Sequence, residues 1–216
     1  MNLLAIDTST EQISLALWLK GHMHTKTELA EKQHAKVLLL HIDDLFKEVG
    51  KSLNDLDAIV YGRGPGSFTG LRIACSVAKG LAYAKDLPLY PVSSLLAIKN
   101  EFSEQNPALK EKPLLSVIDA RMQQLYWLYA DNEEKVTDID DINPIKESFY
   151  LAGVGFEVYL DKLYQKQNKL EEAFNIYPTA AAMIRLVFDG KIKSCSAKEA
   201  LPVYVRNQVI QGVNRG

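Results

Sequence analysis

Short apolar and alternating stretches dominate the first hundred residues, and they predict strands separated by turns and amphipathic helices. The predicted strands cover residues 3–6, 12–20, 22–29, 58–61 and 87–92. Apolar residues three or four positions apart predict a helix over residues 28–49 that ends at Gly50, and further helices cover 68–85 and 95–102. The resulting order, βββαβαβα, begins with a three-stranded meander.

A polar stretch over residues 103–112 separates this half from a second half that starts in the same way. The run LLAID at residues 3–7 is echoed by LLSVID at 114–119, and a polar turn and a β-rich run follow each. The rest of the second half is predicted as a strand, two helices and an extended segment, over residues 149–154, 158–166, 178–188 and 202–206. The echo and the strand order favour a two-lobed α/β fold of the actin and sugar-kinase type, with lobes at 1–106 and 107–216.

A glycine-rich loop joins the predicted strand at 58–61 to the helix at 68–85. The sequence GRGPGSFTG at residues 62–70 lets the backbone turn sharply, and a strand–loop–helix unit can present N–H groups to a phosphate. The loop has neither the G-K-[ST] of a Walker loop nor the G-x-G-x-x-G spacing of a Rossmann loop. It therefore has the outline of a phosphate cradle without the groups of either nucleotide-binding fingerprint.

The charge balance limits the kinds of partner. The chain has 216 residues, 47% of them apolar, and a net charge of −2, which argues against binding nucleic acid through its overall field. The charge is uneven: residues 131–147 hold seven acidic and two basic residues, whereas the tail at 190–216 holds five basic and one acidic. Two distant cysteines, no basic leader and no apolar run of membrane-spanning length favour a cytoplasmic protein with no membrane partner.

Four motifs spread over the chain carry a resemblance to a known family. They are LAIDTST at residues 4–10, GRGPGSFTGLR at 62–72, DAR at 119–121 and PVYVR at 202–206. In these motifs the chain resembles the TsaB (YeaZ) family. The resemblance implies an actin-like ATPase (ASKHA) fold with two lobes of duplicated βββαβα type, of which the second is reduced.

The resemblance also implies a function and a set of partners. Members of this family dimerise with the catalytic paralogue TsaD, which transfers a threonylcarbamoyl group to N6 of adenosine 37 in tRNAs that read ANN codons. A TsaE-type ATPase completes the set, family members alone form homodimers, and tRNA is reached only through the complex. By this resemblance the chain is a non-catalytic scaffold or activator subunit, a pseudoenzyme that needs no cofactor.

Two helices are the expected partner interface. The helix at 68–85 carries small residues that let another helix approach closely, and the helix at 28–49 has more apolar surface than one seam needs. The pattern does not decide which face of each helix points outward. The candidate interface residues are His34, Leu38, Ile42, Leu45, Gly70, Ile73, Ala74, Val77, Gly80 and Ala84.

A vestigial nucleotide cleft is the second candidate site. The catalytic paralogue holds a metal through an H-x-x-x-H pair, but here His34 is followed at the second position by Leu38, so no metal is expected. The candidate cleft residues are Asp7, Thr8, Ser9, Gly64, Gly66, Asp119, Gly153 and Gly155.

Several alternatives stay open from the sequence alone. Weak binding of ATP or ADP, or a stand-alone actin-like ATPase, would use the same cleft. The basic tail would be the contact in a protein that binds tRNA directly. Arg72 and Arg121 stay open between a functional role and simple pairing with nearby carboxylates.

Overall fold

The computed structural model describes residues 1–30, 34–129 and 133–205, and it contains two five-stranded sheets of the same topology. The first sheet has the order β3-β2-β1-β4-β5, with β1 Leu3–Asp7, β2 Gln12–Leu19, β3 His22–Leu29, β4 Ala58–Gly64 and β5 Leu89–Ser93. The second has the order β8-β7-β6-β9-β10, with β6 Leu114–Arg121, β7 Gln124–Tyr129, β8 Lys135–Asp138, β9 Phe149–Val154 and β10 Leu170–Asn175. In each, three antiparallel strands are followed by two parallel ones.

This repeated topology confirms the predicted duplication and the two-lobed α/β fold. The echoed runs LLAID and LLSVID are β1 and β6, the central strands of the two sheets. Both strands are buried almost throughout, which explains why their apolar runs were recognisable in the sequence.

Five α-helices accompany the sheets in the described residues: α1 His34–Glu48, α2 Phe68–Lys85, α3 Ser94–Gln105, α4 Leu160–Lys166 and α5 Ala180–Phe188. The predicted start of the first helix at residue 28 is wrong. Glu28 and Leu29 belong to β3, where they pair with Ile13 and Gln12 of β2. The alternating sequence of β3 continues to Leu29, and this pairing outweighs the helical spacing that overlaps it.

The last helix of each half packs on the sheet of the other half. Leu95, Ile98 and Phe102 of α3 lie in one apolar cluster with Leu114 and Ile118 of β6. Conversely, α5 covers a face of the first sheet, with these buried residues in one cluster: Leu3, Ala5, Val60, Met183, Ile184 and Val187. Apolar contacts of the core therefore join residues on both sides of position 106. The lobe boundary at that position stays a prediction.

The second lobe is reduced, as predicted, but it is more regular than its sequence indicates. Where α1 joins the third and fourth strands of the first lobe, the second lobe has only a short 3-10 turn at Ile139–Asp141 before β9. Strands β8 and β10 were not predicted. They lie at the sheet edges, with no buried residue in β8 and Leu170 alone buried in β10, so neither shows an apolar run.

Candidate functional site: a filled cleft and an exposed helix face

The glycine-rich loop packs against the turn that follows β1. A Cβ at Gly66 would lie 2.3 Å from the carbonyl oxygen of Ser9, and one at Gly70 would lie 1.8 Å from that of Thr8. The Ser67 N–H donates to Ser9 O at 2.7 Å, and Thr8 Oγ1 donates to Gly70 O at 2.7 Å. Gly66 and Gly70 are thus required by the close approach of the turn after β1, and the Ser67 N–H of the loop is already bonded to that turn.

Asp7 is a fully buried carboxyl at the end of β1. Its Oδ2 accepts hydrogen bonds from Ser9 N–H at 3.3 Å and Ser9 Oγ at 2.8 Å, whereas Oδ1 has no hydrogen-bond partner among the described residues. A Cβ at Gly62 would lie 2.0 Å from that Oδ1. Burial raises the pKa of Asp7 to about 7, against the lowering effect of the two Ser9 bonds.

Asp119 occupies the equivalent position in the second lobe. Asp7 and Gly62 follow the paired residues Ile6 and Tyr61 of β1 and β4, just as Asp119 and Gly155 follow the paired residues of β6 and β9. A Cβ at Gly155 would lie 2.6 Å from Asp119 Cβ, and one at Gly153 would lie 1.8 Å from the carbonyl oxygen of Val117. Asp7 and Asp119 therefore occupy matching strand ends, and each is closely approached by a glycine of the neighbouring strand or of the loop after it.

The carboxylate of Asp119 is engaged by its own turn. It accepts hydrogen bonds from the backbone N–H of Arg121 at 2.8 Å and from the Arg121 guanidinium at 3.0 Å. Arg121, Met122 and Gln123 all have positive φ, between 56° and 64°, a conformation that residues other than glycine rarely adopt. Arg121 thus pairs with a nearby carboxylate, one of the two roles left open by the sequence.

Two cavities, of about 1130 and 370 Å³, lie away from these turns. The larger is bordered by α3, the chain between α3 and β6, and residues after α5. None of the eight candidate cleft residues lines either cavity in the described part of the chain. The lining of the larger cavity includes both basic and acidic side chains, among them Lys110, Lys112, Glu133 and Asp189. No sequence motif predicted this cavity.

Half of the candidate interface residues are in the chain's own core, so these five lie on the inward faces of the two helices. Leu38, Ile42, Leu45 and Ala74 belong to the cluster between these helices and the first sheet, and Gly70 is buried against Thr8. His34, Ile73 and Val77 are half-buried, and Gly80 and Ala84 are exposed. A charge at Leu38 or Ile42 would therefore disturb the fold before it disturbed a partner.

A different set of apolar side chains on the same two helices faces solvent. On α1, Leu40 is 62% exposed and its neighbour Leu39 is also exposed; on α2, Tyr83 is 78% exposed. Gly80 is also exposed on α2, and an added Cβ there would find no described atom within 4 Å beyond the helix's own backbone. We call these residues, Leu39, Leu40, Gly80, Tyr83 and Ala84, the open helix face.

The two histidines of α1 differ: His41 contacts a carboxylate, whereas His34 Nε2 is buried with no hydrogen-bond partner among the described residues. His41 Nε2 of α1 lies 2.9 Å from Glu28 Oε2, which ties the helix to β3. Within residues 1–30, 34–129 and 133–205, no group of three or more His, Cys, Asp or Glu side chains is arranged to hold a metal ion. Residues 206–216 of the basic tail, Arg206 among them, lie outside the described residues.

None of the helices in the described ranges has the length and apolar character needed to cross a bilayer.

Comparisons with known proteins agree with the resemblance drawn from the motifs. A family model described as TsaD, tRNA N6-adenosine threonylcarbamoyltransferase, matches residues 23–200. The chain is 32% identical to the tRNA threonylcarbamoyladenosine biosynthesis protein TsaB of Escherichia coli K12, over 97% of this chain and 96% of that protein. It is 33% identical to TsaB of Haemophilus influenzae, over 97% and 95%.

Solved structures give the same result. The chain is 30% identical to YeaZ from Pseudomonas aeruginosa, with a TM-score of 0.81 over 94% of this chain and 99% of that one. A second Pseudomonas aeruginosa structure, described as similar to peptidase YEAZ, has a TM-score of 0.83 and 31% identity over 95% and 99%.

Proposed function

Because this chain belongs to the TsaB family of tRNA threonylcarbamoyladenosine biosynthesis proteins, we propose that it acts in that biosynthesis as a non-catalytic subunit. It binds a TsaD-type catalytic paralogue and activates the transfer of a threonylcarbamoyl group to N6 of adenosine 37 in tRNAs that read ANN codons. A TsaE-type ATPase is the third component, tRNA is reached through the complex, and the chain alone forms a homodimer by the same surface.

Gly80 is the observation that carries this proposal. A glycine inside a helix costs about 1 kcal/mol relative to alanine. Gly70 on the same helix is explained by the chain itself, since the backbone of Thr8 leaves no room for a Cβ. At Gly80 the described chain leaves the space open, so its own packing does not explain the small residue, and close packing of a second helix over this point would explain it.

The exposed apolar residues of α1 and α2 support the same conclusion. Leu39 and Leu40 of α1 and Tyr83 of α2 are large, apolar and more than half exposed, on two adjacent helices. Exposed apolar groups gathered in this way are typical of protein–protein interfaces. The open helix face thus combines a small residue, which lets a helix come close, with exposed apolar side chains that a helical partner could cover.

A non-catalytic role is supported by the filled cleft. The glycine loop is packed with the backbone of Thr8 and Ser9, and Asp7 is enclosed with an uncharged form favoured by burial. A carboxyl in this state is a poor ligand for the Mg²⁺ of a nucleotide. If the protein nevertheless hydrolysed ATP, turnover would co-purify with it and disappear in an Asp7→Ala variant, and that result would overturn the non-catalytic role.

The partner proposal is tested by light scattering on a sizing column. The chain is measured alone and mixed with the TsaD-type paralogue of its host, and we expect a homodimer that exchanges into a one-to-one heterodimer. Gly80→Arg should abolish both dimers while keeping the thermal unfolding midpoint. Val158→Arg is the matched control, because Val158 lies beside α4 of the second lobe and is 80% exposed. A Gly80→Arg chain that still forms the heterodimer would contradict the proposed surface.

A further inference from the structure

The described chain ends in a segment that crosses the outer side of α2 and the end of β4. We call residues 200–205 the strap. It is fixed through its backbone: Lys79 Nζ donates to Ala200 O at 2.9 Å, Tyr61 Oη donates to Leu201 O at 3.2 Å, and the Val203 N–H donates to Arg63 O at 2.7 Å. Three hydrogen bonds to its main chain thus hold the strap in one place.

Ala200 at the start of the strap is buried in the first core, but three apolar side chains further along it are exposed. Leu201 is 64% exposed, Tyr204 is 44% exposed, and Val203 is also exposed. A segment that served only to stabilise the lobe would bury most of its apolar side chains, since their burial is the main source of stability. Here the backbone provides the attachment and the apolar groups are presented to solvent.

A stacked cluster ends the strap. The rings of Tyr204 and Phe68 lie 5.3 Å apart, the Arg72 guanidinium lies 3.7 Å from the centre of the Phe68 ring, and Arg72 Nε donates to Tyr204 Oη at 3.0 Å. The terminal nitrogens of Arg72 donate to no group among the described residues. Tyr, Arg and exposed aromatic groups are the residues most often found at the energetic centres of protein interfaces.

The strap lies on the opposite side of α2 from α1. Helix α1 packs on β2 and β3, whereas Cys195, just before the strap, pairs with Leu89 of β5 at the opposite edge of the first sheet. Successive helix residues are rotated by about 100°, so Phe68, Arg72 and Lys79, which contact the strap, share one side of α2. Ile73 and Val77 lie on another side of α2 from these three residues and pack against the first core. Gly80 and Tyr83 of the open helix face lie between these two sides.

We propose that the strap is a third element of the partner-binding surface. A helix of the TsaD-type partner packs over Gly80, between α1 and the strap. Leu201 and Tyr204 contact the side of that helix that faces the strap. The terminal nitrogens of Arg72 bind a carboxylate of the partner. This inference rests on the proposed function, because it names residues that serve the same docking event. It follows from the continuity of the exposed strap residues with the open helix face.

The test measures the dissociation constant for the TsaD-type partner by calorimetry, with the full-length chain. Leu201→Asp with Tyr204→Ala should weaken binding at least tenfold, and Arg72→Glu should do the same. Tyr204→Phe keeps the ring stack and should stay within about threefold of the parent chain. Each variant should keep the parent's thermal unfolding midpoint within a few degrees, and Val158→Asp, a new charge far from the strap, should bind normally.

The outcomes separate this inference from the proposed function. If Gly80→Arg abolishes binding and the strap variants bind like the parent chain, the strap inference is overturned and the helix interface stands. If Val158→Asp weakens binding as much as the strap variants do, the effect is one of charge in general, and the inference is again overturned. If neither Gly80→Arg nor the strap variants change binding, both the open helix face and the strap are wrong as the docking surface. A parent chain that does not bind the partner at all would overturn the proposed function itself.

Discussion

At the scale of the single residue, Asp7 shows how a carboxyl at a strand end can be enclosed by a distant part of the chain. Its carboxyl is enclosed by Gly62 and the turn at Ser9, and one of its oxygens has no hydrogen-bond partner among the described residues. The sequence placed Asp7 at the correct strand end, because a polar residue directly after a buried strand is easy to recognise. Its burial depends on the glycine loop more than fifty residues later, and no local pattern contains that information.

The protonation of Asp7 should make stability depend on pH. Its folded pKa is about 7 and its ordinary value is 3.8, so the folded state binds the proton more tightly. The stability that this group contributes is lost as pH rises from about 4 through about 7. Between pH 5 and pH 8 this group should cost roughly 2–3 kcal/mol of the free energy of unfolding. Urea unfolding at these two pH values, compared with Asp7→Asn, isolates the effect. Equal pH dependence in the two chains would contradict it.

At the scale of the element, α1 and α2 show what a periodic pattern can and cannot predict. The bounds of α2 match the prediction, since Ser67 caps the helix and its side chain accepts from the Gly70 N–H. The sequence could not predict which face of α1 points outward, because Leu38 and Leu40 are chemically the same residue two positions apart. Only the placement of the first sheet makes one a core residue and the other a surface residue.

The two leucines should respond in opposite ways to the same substitution. Leu38→Asp would bury a charge in the first core and should cost more than about 4 kcal/mol, enough to prevent stable folding. Leu40→Asp should change the free energy of unfolding by less than about 0.5 kcal/mol and should still weaken binding to the TsaD-type partner. Circular dichroism melts and a sizing column with the partner give both readouts. Normal partner binding by Leu40→Asp would contradict the open helix face.

At the scale of the whole molecule, the two halves exchange their last helices: α3 packs on the second sheet and α5 packs on the first. Arg185 of α5 donates to Glu101 of α3 at 2.7 Å, and Arg63 binds Glu134 through two hydrogen bonds, so polar contacts also join the halves. The echo in the sequence predicted the duplication. It could not predict the exchange, since the apolar face of α5 would fit either sheet.

A chain cut at the predicted lobe boundary should therefore fail to fold alone. Residues 1–106 lack α5, which leaves Leu3, Val60 and their neighbours on one face of the first sheet uncovered. We expect this fragment to show no cooperative thermal transition by circular dichroism and to bind a hydrophobic dye, whereas the full chain shows a single transition. A fragment that melts cooperatively would contradict this expectation and would support an independent N-terminal lobe.

The position of α5 late in the sequence also determines when the first sheet can be covered during synthesis. One face of the first sheet stays uncovered until α5 leaves the ribosome, after nearly the whole second half has been made. At a synthesis rate of 5–20 residues per second, the wait between residue 106 and the end of α5 at Phe188 lasts roughly 4–16 s. During this interval the nascent first half presents an apolar sheet to the cell, and it is then a natural client of the chaperones that meet emerging chains.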